Sequence, residues 1–329
     1  YWVVDLAMNY RIADATKVYD GNTSVKHIGS GAAADIKNYL TDAKISFDSG
    51  LTWVDLKSDM TLDPSASSYD NKNVQGGAVH NVTYGVNYTG NNFTITGGNS
   101  FTKTGQGYIT RKDVVAAVKS PLTKVYDATT NLLNIAKDTG GHVIASADDL
   151  VTLSGLVTGD GAQNITTAVY TDKNAGTGNR TVNYTIGIDA AHADNYRLVD
   201  ATNTTITAPV ATNNNTITKR AVNMTFAPVT KTYDGTSANA TITPSVSAVL
   251  NADQSGLVNG SNQLTATAGI SSDYGVRTGG TFTADPNAGT NKVVEYRGIQ
   301  GAMGTALGSN AGNYEFAANG YGKGTITKA

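Results

Sequence analysis

Apolar and polar residues alternate along several short stretches of the chain. Residues 82–88 alternate valine and tyrosine with polar or small residues, and residues 182–188 and 222–226 repeat the pattern. Alternation with a period of two predicts β-strands that bury one face. Turn-forming pairs such as Asp20-Gly21 and Asn259-Gly260 separate these stretches. Short strands with a turn every ~10 residues are typical of a β-sandwich.

One pattern occurs three times along the chain. The stretch Lys-x-Tyr-Asp is followed each time by an Asn-containing turn, a Val-x-Tyr strand, an Asn-aromatic pair and a closing Ile-Thr. The tyrosines of successive copies are 107 residues apart both times. Five marks in the same order in three copies identify an internal repeat. The signature residues are Lys17, Tyr19, Asp20 and Asn92; Lys124, Tyr126, Asp127 and Asn195; and Lys231, Tyr233, Asp234 and Asn313.

The length of the repeat predicts the domain organisation. A unit of about 107 residues can bury its own core, unlike a short solenoid repeat. We therefore predict three domains, at residues 1–111, 112–219 and 220–329. No Pro- or Gly-rich linker separates them, and such short joints favour a stiff, elongated array.

The predicted fold class is all-β, with three tandem Ig-like β-sandwich modules. Residues 32–40 and 146–150 could each hold a short helix. Helices there would favour an alternative, β-grasp-like α+β modules.

Several motifs resemble the YDG domain family. They are Lys-x-Tyr-Asp-Gly-Thr at residues 231–236, Asp-Lys-Asn-Ala-Gly-Thr at 172–177, Gly-Asn-Tyr at 312–314 and Gly-Thr-Ile-Thr-Lys at 324–328. The resemblance implies tandem β-rich modules in large bacterial surface and secreted proteins. These include filamentous-haemagglutinin-like adhesins exported by two-partner secretion. It also implies an extracellular, outer-membrane-associated location and no catalytic residues.

Two positions depart from the family pattern. Ala128 stands where the usual residue is glycine, and residues 73–76 read Asn-Val-Gln-Gly instead of Asn-Ala-Gly-Thr. Both lie at predicted turns, so they put the local turn geometry in doubt rather than the resemblance.

Composition excludes several kinds of chemistry. The 329 residues include no cysteine, which excludes disulfides, thiolate metal sites and cysteine nucleophiles. A net charge of −2 argues against nucleic-acid or anionic-membrane binding. No apolar run approaches the ~20 residues of a membrane-spanning helix, so we expect no membrane insertion. Because the chain begins at Tyr1 without a signal peptide, we expect a piece of a longer protein.

The sequence offers no recognisable catalytic constellation. His27, His80, His142 and His192 occupy no common position in the repeats and form no His-Glu-x-x-His pair. Neither a Gly-x-Ser-x-Gly elbow nor a phosphate-binding loop is present. No distinctive carboxylate pair suggests a glycosidase. We therefore expect neither enzymatic activity nor a cofactor.

The recurring tyrosine and aspartate favour structural roles. Tyr19, Tyr126 and Tyr233 could stack on a sugar ring, but a tyrosine kept in every repeat favours packing at a sheet corner with its hydroxyl bonded to nearby backbone. The aspartate after each of them is expected to shape the following turn.

Two further functional interpretations each have a simpler structural alternative. Asp172-x-Asn174 and Asp285-x-Asn287 could begin a calcium loop, but side-chain-bonded turns are the favoured interpretation. The signature lysine and asparagine of each repeat could form an isopeptide cross-link, against the simpler expectation of a solvated lysine at a sheet edge.

The function expected from these observations is that of a tandem-repeat stalk in a bacterial surface adhesin. Its partners would be the neighbouring repeats, and a host glycan or surface protein. The alternative is a lectin-like module that binds through its variable loops. The third repeat carries the largest insertion, at residues 298–312, which makes it the first place to look.

Overall fold

The computed structural model describes residues 7–25, 40–46, 48–92, 95, 98–160, 163–258, 263–264 and 269–329. Nearly all regular structure in these ranges is β-strand, joined by turns and short 3₁₀ segments. The all-β prediction is therefore confirmed. None of the helices in these ranges is long and apolar enough to cross a membrane.

The strands are numbered in chain order. The first group is β1 (Ala7–Ile12), β2 (Ala15–Val18), β3 (Leu40–Ser46), β4 (Val54–Asp55), β5 (Met60–Tyr69), β6 (His80–Tyr88) and β7 (Ser100–Thr110). The second group is β8 (Lys112–Val118), β9 (Thr123–Val125), β10 (Val151–Ser154), β11 (Gln163–Tyr170), β12 (Gly176–Ile188), β13 (Tyr196–Val199) and β14 (Val210–Thr218).

The third group contains the remaining elements. They are β15 (Arg220–Ala221), β16 (Asn223–Phe226), β17 (Val229–Thr232), β18 (Pro244–Ser247), β19 (Leu257–Val258), β20 (Gln263–Leu264), β21 (Ser271–Thr278), β22 (Thr281–Ala284), β23 (Gly289–Arg297), α1 (Ile299–Leu307), β24 (Tyr314–Glu315) and β25 (Gly320–Thr327).

The same sheet is built three times. Its strand orders are β2-β7-β6-β5, β9-β14-β12-β11 and β17-β25-β23-β21-β22. In each copy the short strand that carries the signature lysine pairs in parallel with the closing strand, as in β2 with β7 and β17 with β25. The closing strand then pairs antiparallel with the Val-x-Tyr strand, as in β7 with β6. The beginning and end of each repeat are therefore neighbours in one sheet.

Smaller sheets complete the architecture. Their orders are β1-β3-β4, β10-β8-β13, β16-β18-β20-β19 and β15-β24. The strand that begins at the tyrosine of the Asn-Tyr pair runs parallel to the strand that opens the repeat, as in β13 with β8 and β24 with β15. This pairing places the Asn-Tyr pair beside the residue at which the repeat begins.

The chain forms two compact units. The first comprises Tyr1–Ala117, Val151–Thr166 and Ile186–Ala208, and the second comprises Val118–Leu150, Thr167–Thr185 and Pro209–Ala329. Each unit thus combines one complete outer repeat with part of the middle repeat. The boundaries at 111/112 and 219/220 stay a prediction; they fall where β7 gives way to β8 and β14 to β15.

The core of each unit is rich in tyrosine. Every valine and tyrosine of the alternating stretch in β6 is buried, as its period predicts. In β12 the alternation is weaker, because Val182 and Tyr184 are buried while Ile186 and Ile188 are half-buried. Fully buried tyrosines include Tyr19 and Tyr84 in the first unit, and Tyr126, Tyr170, Tyr184, Tyr274, Tyr296 and Tyr314 in the second.

The α-helix of the structure does not lie at either of the two predicted helical segments. The proposed helix at residues 146–150 is only a 3₁₀ turn at Ala147–Asp149, and residues 32–39 lie outside the described ranges. The insertion at residues 298–312, expected as a loop, forms α1 and a 3₁₀ segment at Gly308–Asn313. Met303 and Leu307 of α1 are buried, so hydrophobic burial stabilises this helix despite its internal glycines.

Candidate functional site

The signature tyrosine directly follows the first strand of the repeated sheet. Its N–H extends the parallel ladder: Tyr19 donates to the carbonyl of Thr110 at 2.9 Å, and Tyr126 donates to that of Thr218 at 2.9 Å. Both side chains are buried, with 1% of Tyr19 and 0% of Tyr126 exposed. The position is therefore fixed by the sheet, and the hydroxyl must find a partner inside the protein.

In the first unit that partner belongs to the following repeat. The Tyr19 hydroxyl donates to Asp160 Oδ2 at 2.6 Å. The Tyr196 hydroxyl donates to the same oxygen at 2.7 Å and accepts the N–H of Val157 at 2.9 Å. The two rings meet edge to face, with centroids 5.4 Å apart. We call Tyr19, Asp160 and Tyr196 the first junction.

The second unit contains the same arrangement one repeat later. The Tyr126 hydroxyl donates to Asp253 Oδ2 at 3.0 Å, and the Tyr314 hydroxyl donates to it at 2.6 Å. Tyr314 also accepts the N–H of Leu250 at 3.2 Å, and its ring lies 5.5 Å from that of Tyr126. Tyr126, Asp253 and Tyr314 form the second junction.

Both acceptor carboxylates occupy equivalent turns. The N–H of Asp160 donates to the carbonyl of Val157 at 3.0 Å, and the N–H of Asp253 donates to that of Leu250 at 2.9 Å. Each carboxylate is therefore held three residues after the N–H that binds the second tyrosine. The expected hydrogen bond from the signature tyrosine to nearby backbone is replaced by a bond to a distant carboxylate.

The signature asparagines extend the two junctions. Asn195 accepts the N–H of Val74 at 2.8 Å and donates to Asn73 Oδ1 at 3.0 Å. Asn313 does the same at the next repeat, where it accepts the N–H of Ala175 at 2.8 Å and donates to Asn174 at 3.0 Å. Each asparagine thus binds the Asn-containing turn of the preceding repeat.

Asn92, the counterpart in the first repeat, is exposed. Asn92 therefore differs from the other two signature asparagines, Asn195 and Asn313, which are both buried.

The signature lysine is buried in the first two repeats, with 3% of Lys17 and of Lys124 exposed. The Lys124 ammonium group donates to Asp127 Oδ1 at 2.7 Å and to the carbonyls of Thr129 and Asn131 at 2.7 and 2.8 Å. The expectation of a solvated edge charge is therefore wrong. Burial is possible because the carboxylate and two carbonyls together satisfy the three donors of an ammonium group.

The other two repeats keep this arrangement. Lys17 donates to Asp20 at 2.8 Å and Lys231 to Asp234 at 2.8 Å, each with two backbone carbonyls in addition. A tyrosine ring lies below each ammonium group at 5.2 to 5.5 Å; the rings are those of Tyr69, Tyr170 and Tyr274. Cation–π attraction adds to the stabilisation of these lysines.

The signature aspartate shapes the next turn, as predicted. Its carboxylate accepts the N–H two residues on, at 2.9 Å from Thr129 to Asp127 and 2.9 Å from Thr236 to Asp234. The residue between them needs a left-handed backbone: φ is +79° at Gly21, and Ala128 adopts +62°. The alanine that departs from the family pattern therefore keeps the same turn, at a steric cost of about 1 kcal/mol.

The isopeptide interpretation requires a lysine and an asparagine in contact. In the third repeat Lys231 donates hydrogen bonds to Asp234, Thr236 and Ala238. Those of Asn313 run to Asn174 and Ala175. The two signature residues therefore have different partners.

The two calcium-like stretches form the predicted side-chain-bonded turns. Asp172 accepts the N–H of Asn174 at 2.9 Å, and Asp285 accepts that of Asn287 at 3.0 Å. The other carboxylate oxygen binds a cationic side chain, Arg180 at 2.6 Å in the first case. In the first repeat the divergent turn has the same geometry, since Asn71 accepts the N–H of Asn73 at 2.9 Å.

Electrostatics keep the tyrosines of both junctions neutral, and at the first junction they favour an ionised Asp160. Burial, together with the hydrogen bond to Asp253, raises the pKa of Tyr126 to about 12. Burial and Asp160 raise the pKa of Tyr196 to about 12. Burial alone would raise the pKa of Asp160, but the hydrogen bonds from Tyr19 and Tyr196, together with electrostatic attraction from His192 and Lys72, outweigh burial and lower this pKa.

The histidines are dispersed. His80 is buried and contacts Asp70 at 2.9 Å, while His192 contacts Asp189 at 3.2 Å. His142 contacts Asp138 at 3.3 Å, and His27 lies outside the described ranges. Among the residues that the structure describes, no three acidic or histidine side chains gather as a metal site would require.

The third signature tyrosine differs from the other two. Tyr233 continues the ladder through its N–H, which donates to the carbonyl of Thr327 at 2.8 Å. Its side chain, however, is 44% exposed. The arrangement that buries Tyr19 and Tyr126 is therefore incomplete at Tyr233.

A comparison with known protein families gives a match that covers most of the middle repeat. The YDG domain matches residues 110–205, a segment that runs from the closing strand of the first repeat through Tyr196. No curated protein matches the chain. The first and third repeats are connected to this match by the marks that they share with the second.

Proposed function

We propose that the chain is part of a bacterial cell-surface adhesin, in which Ig-like β-sandwich modules follow one another as a stalk. The observation that carries the proposal is the repeated junction. One repeat supplies a buried tyrosine, and the next supplies the carboxylate and the second tyrosine that enclose it. A spacer needs successive modules that hold on to one another, and these junctions meet that need.

The junctions are suited to resist separation of the repeats. Pulling Tyr126 away from Asp253 would expose a buried hydroxyl and carboxylate and a tyrosine pair. Because water would satisfy the separated groups, each such hydrogen bond contributes about 0.5–1.5 kcal/mol net. The asparagine bonds to the preceding turn must break at the same time, so the contacts act together.

The surface location in the proposal rests on the resemblance and on the match to the YDG domain at residues 110–205. A filamentous-haemagglutinin-like adhesin exported by two-partner secretion would reach the outer membrane surface. A cysteine-free sequence is compatible with such export, because no disulfide has to form outside the cell. The proposed role is adhesion without enzymatic activity.

The lectin-like alternative would use residues 298–312 to bind a host glycan or surface protein. In α1 the apolar side chains Ile299, Met303 and Leu307 are buried, which leaves Gln300 and Thr305 exposed. A glycan array with the intact chain and with a Gln300→Ala, Thr305→Ala double variant tests this alternative. Binding that the double variant loses would favour the lectin role.

The stalk proposal is tested by small-angle X-ray scattering together with surface display. Three modules in a row predict an elongated particle roughly 100 Å long. The chain placed between an outer-membrane anchor and a binding domain should increase the reach of that domain, and bacteria should adhere better than with the anchor alone. A compact particle, or adhesion that is indifferent to the inserted chain, would contradict the proposal.

A further inference from the structure

Tyr233 of the third repeat lies on a surface that is exposed. In the first two repeats the equivalent surface is covered by the following repeat. Tyr19 and Tyr126 are enclosed by the next repeat, whereas 44% of Tyr233 is exposed. The Tyr233 hydroxyl makes no hydrogen bond to any residue that the structure describes. An exposed tyrosine alone is ordinary, so the argument depends on the residues around it.

The residues around Tyr233 repeat the surroundings of Tyr126. Residues 287–290 read Asn-Ala-Gly-Thr, identical to residues 174–177. Asn287 closes its turn on Asp285 as Asn174 does on Asp172. At the second junction this turn offers the N–H of Ala175 to Asn313.

The corresponding N–H in the third repeat is that of Ala288. Ala288 is exposed, and within the described ranges its N–H has no hydrogen-bond partner. The Tyr233 hydroxyl and the Ala288 N–H therefore occupy the two positions at which the following repeat binds in the first and second junctions.

The loop that follows Tyr233 also keeps its shape. Gly235 has φ of +80°, against +79° at Gly21, and Asp234 accepts the N–H of Thr236 as in the other repeats. At the first junction this glycine lies directly against the following repeat. A Cβ added at Gly21 would lie 2.7 Å from Cγ1 of Val157. A Cβ at Gly235 would meet nothing within 4 Å.

From these observations we infer that Tyr233, Gly235, Asn287 and Ala288 form a docking surface for one further module of the same repeat type. The surface requires particular chemical groups on its partner. The partner needs a carboxylate at the end of a four-residue turn to accept from the Tyr233 hydroxyl. It also needs an Asn-Tyr pair, whose asparagine binds the N–H of Ala288 and whose tyrosine packs on the ring of Tyr233.

The first repeat of a second copy of the chain meets these needs less well. It has the turn, since the N–H of Asp59 donates to the carbonyl of Leu56 at 2.9 Å. Its aromatic pair is Asn92-Phe93, however, and a phenylalanine has no hydroxyl to donate to the carboxylate. Modules like the second and third repeats are therefore the better occupants. The inference rests on the mutual docking of repeats in the proposed function, but not on a surface location.

The test uses the natural chain and two lengthened chains. One lengthened chain carries a second copy of residues 220–329 after Lys328, and the other carries a second copy of residues 112–219. In each appended copy the signature tyrosine is changed to phenylalanine, so that only the original Tyr233 is followed. Nitration with tetranitromethane, read by peptide mass spectrometry, measures the accessibility of Tyr233.

The natural chain should be nitrated readily at Tyr233. At least one lengthened chain should show a rate at Tyr233 that is lower by about tenfold or more. Changing the appended copy of Asp253 to alanine, or the appended copy of Asp160 in the other chain, should restore the rate. Unchanged nitration in both lengthened chains overturns the inference, and so does protection that survives the alanine change.

Nitration of the natural chain at several protein concentrations tests whether a second copy of the chain occupies the surface instead. Nitration of Tyr233 that is independent of concentration supports a further module. Protection that grows with concentration indicates a second copy and overturns our choice of partner. Protection in a lengthened chain, combined with failure of the display assay, would refute the adhesin role alone. A Tyr233 that stays reactive in both lengthened chains, combined with successful display, would refute the docking surface alone.

Discussion

Tyr126 and Tyr314 share one carboxylate oxygen: both hydroxyls donate to Oδ2 of Asp253, and the rings meet at 78° with centroids 5.5 Å apart. The two tyrosines belong to successive repeats. An aspartate that accepts from both joins them more specifically than ring packing alone could, because its bonds have direction. The same geometry at Tyr19, Asp160 and Tyr196 shows that the contact is a property of the repeat.

Replacing Tyr126 by phenylalanine should destabilise the chain by about 2 kcal/mol, since it removes one of the donors to the buried Asp253. Tyr233→Phe is the matched control, because its hydroxyl is not bonded to any described residue; its effect should stay within about 0.5 kcal/mol. Urea denaturation followed by circular dichroism measures both variants. Equal losses in the two variants would contradict the role given to the junction.

Asn313→Ala should cost about 1–2 kcal/mol, because it breaks the bonds to Asn174 and to the N–H of Ala175. The control is Asn92→Ala, at the exposed counterpart in the first repeat, where little change is expected. Hydrogen exchange gives a second readout. The N–H of Ala175 should exchange faster in Asn313→Ala and unchanged in Asn92→Ala, and slow exchange in both would refute the assignment.

Lys124→Met should cost about 3 kcal/mol, since it leaves Asp127 and two backbone carbonyls without their cation. The exposed Lys173 provides the control, with Lys173→Met expected to be nearly neutral. Thermal unfolding compares the two variants directly. A stable Lys124→Met protein would show that the side chain is held by its methylene groups and not by its charge.

The junctions should weaken at alkaline pH. The pKa of Tyr126 is raised from 10.0 to about 12 in the folded state, so its contribution to stability is complete below pH 10 and is lost as pH rises towards 12. Tyr196 behaves in the same way. The free energy of unfolding, measured in urea at successive pH values, should therefore fall over this interval.

Tyr126→Phe supplies the control for the pH dependence. With one titrating hydroxyl removed, the decline between pH 10 and 12 should be shallower than in the natural chain. An identical decline in the variant would show that the pH dependence arises elsewhere.

Periodicity was sufficient to predict what each repeat does within its own sheet. The alternation at residues 82–88, the recurrence of Tyr19, Tyr126 and Tyr233, and the turn at Asp127 all depend on neighbours close in sequence. The carboxylates of the junctions did not stand out, because Asp160 and Asp253 lie in segments that share no obvious motif. One tyrosine partner of each lies in the preceding repeat and the other lies 36 or 61 residues further along its own repeat, so only the folded chain brings the three together.

Two predictions failed because side-chain identity shows neither backbone acceptors nor tertiary burial. Lys124 was expected to be solvated, because its three acceptors include two backbone carbonyls that side-chain identity cannot reveal. Residues 299–307 were not predicted as a helix, since Gly301 and Gly304 lower helix propensity. Burial of Met303 and Leu307 overrides that preference, and burial depends on tertiary packing.

The sequence separation within each junction also sets a timetable for folding. Tyr19 must wait for Asp160, 141 residues later, and Tyr126 for Asp253, 127 residues later. The ribosome delivers the amino-terminal partner first, so each repeat leaves it with its tyrosine unpaired. Contacts between such distant residues form slowly, because a long loop must close before they contribute. The signature tyrosines of the first two repeats therefore become buried only after the following repeat is present, whether the chain folds at the ribosome or after export.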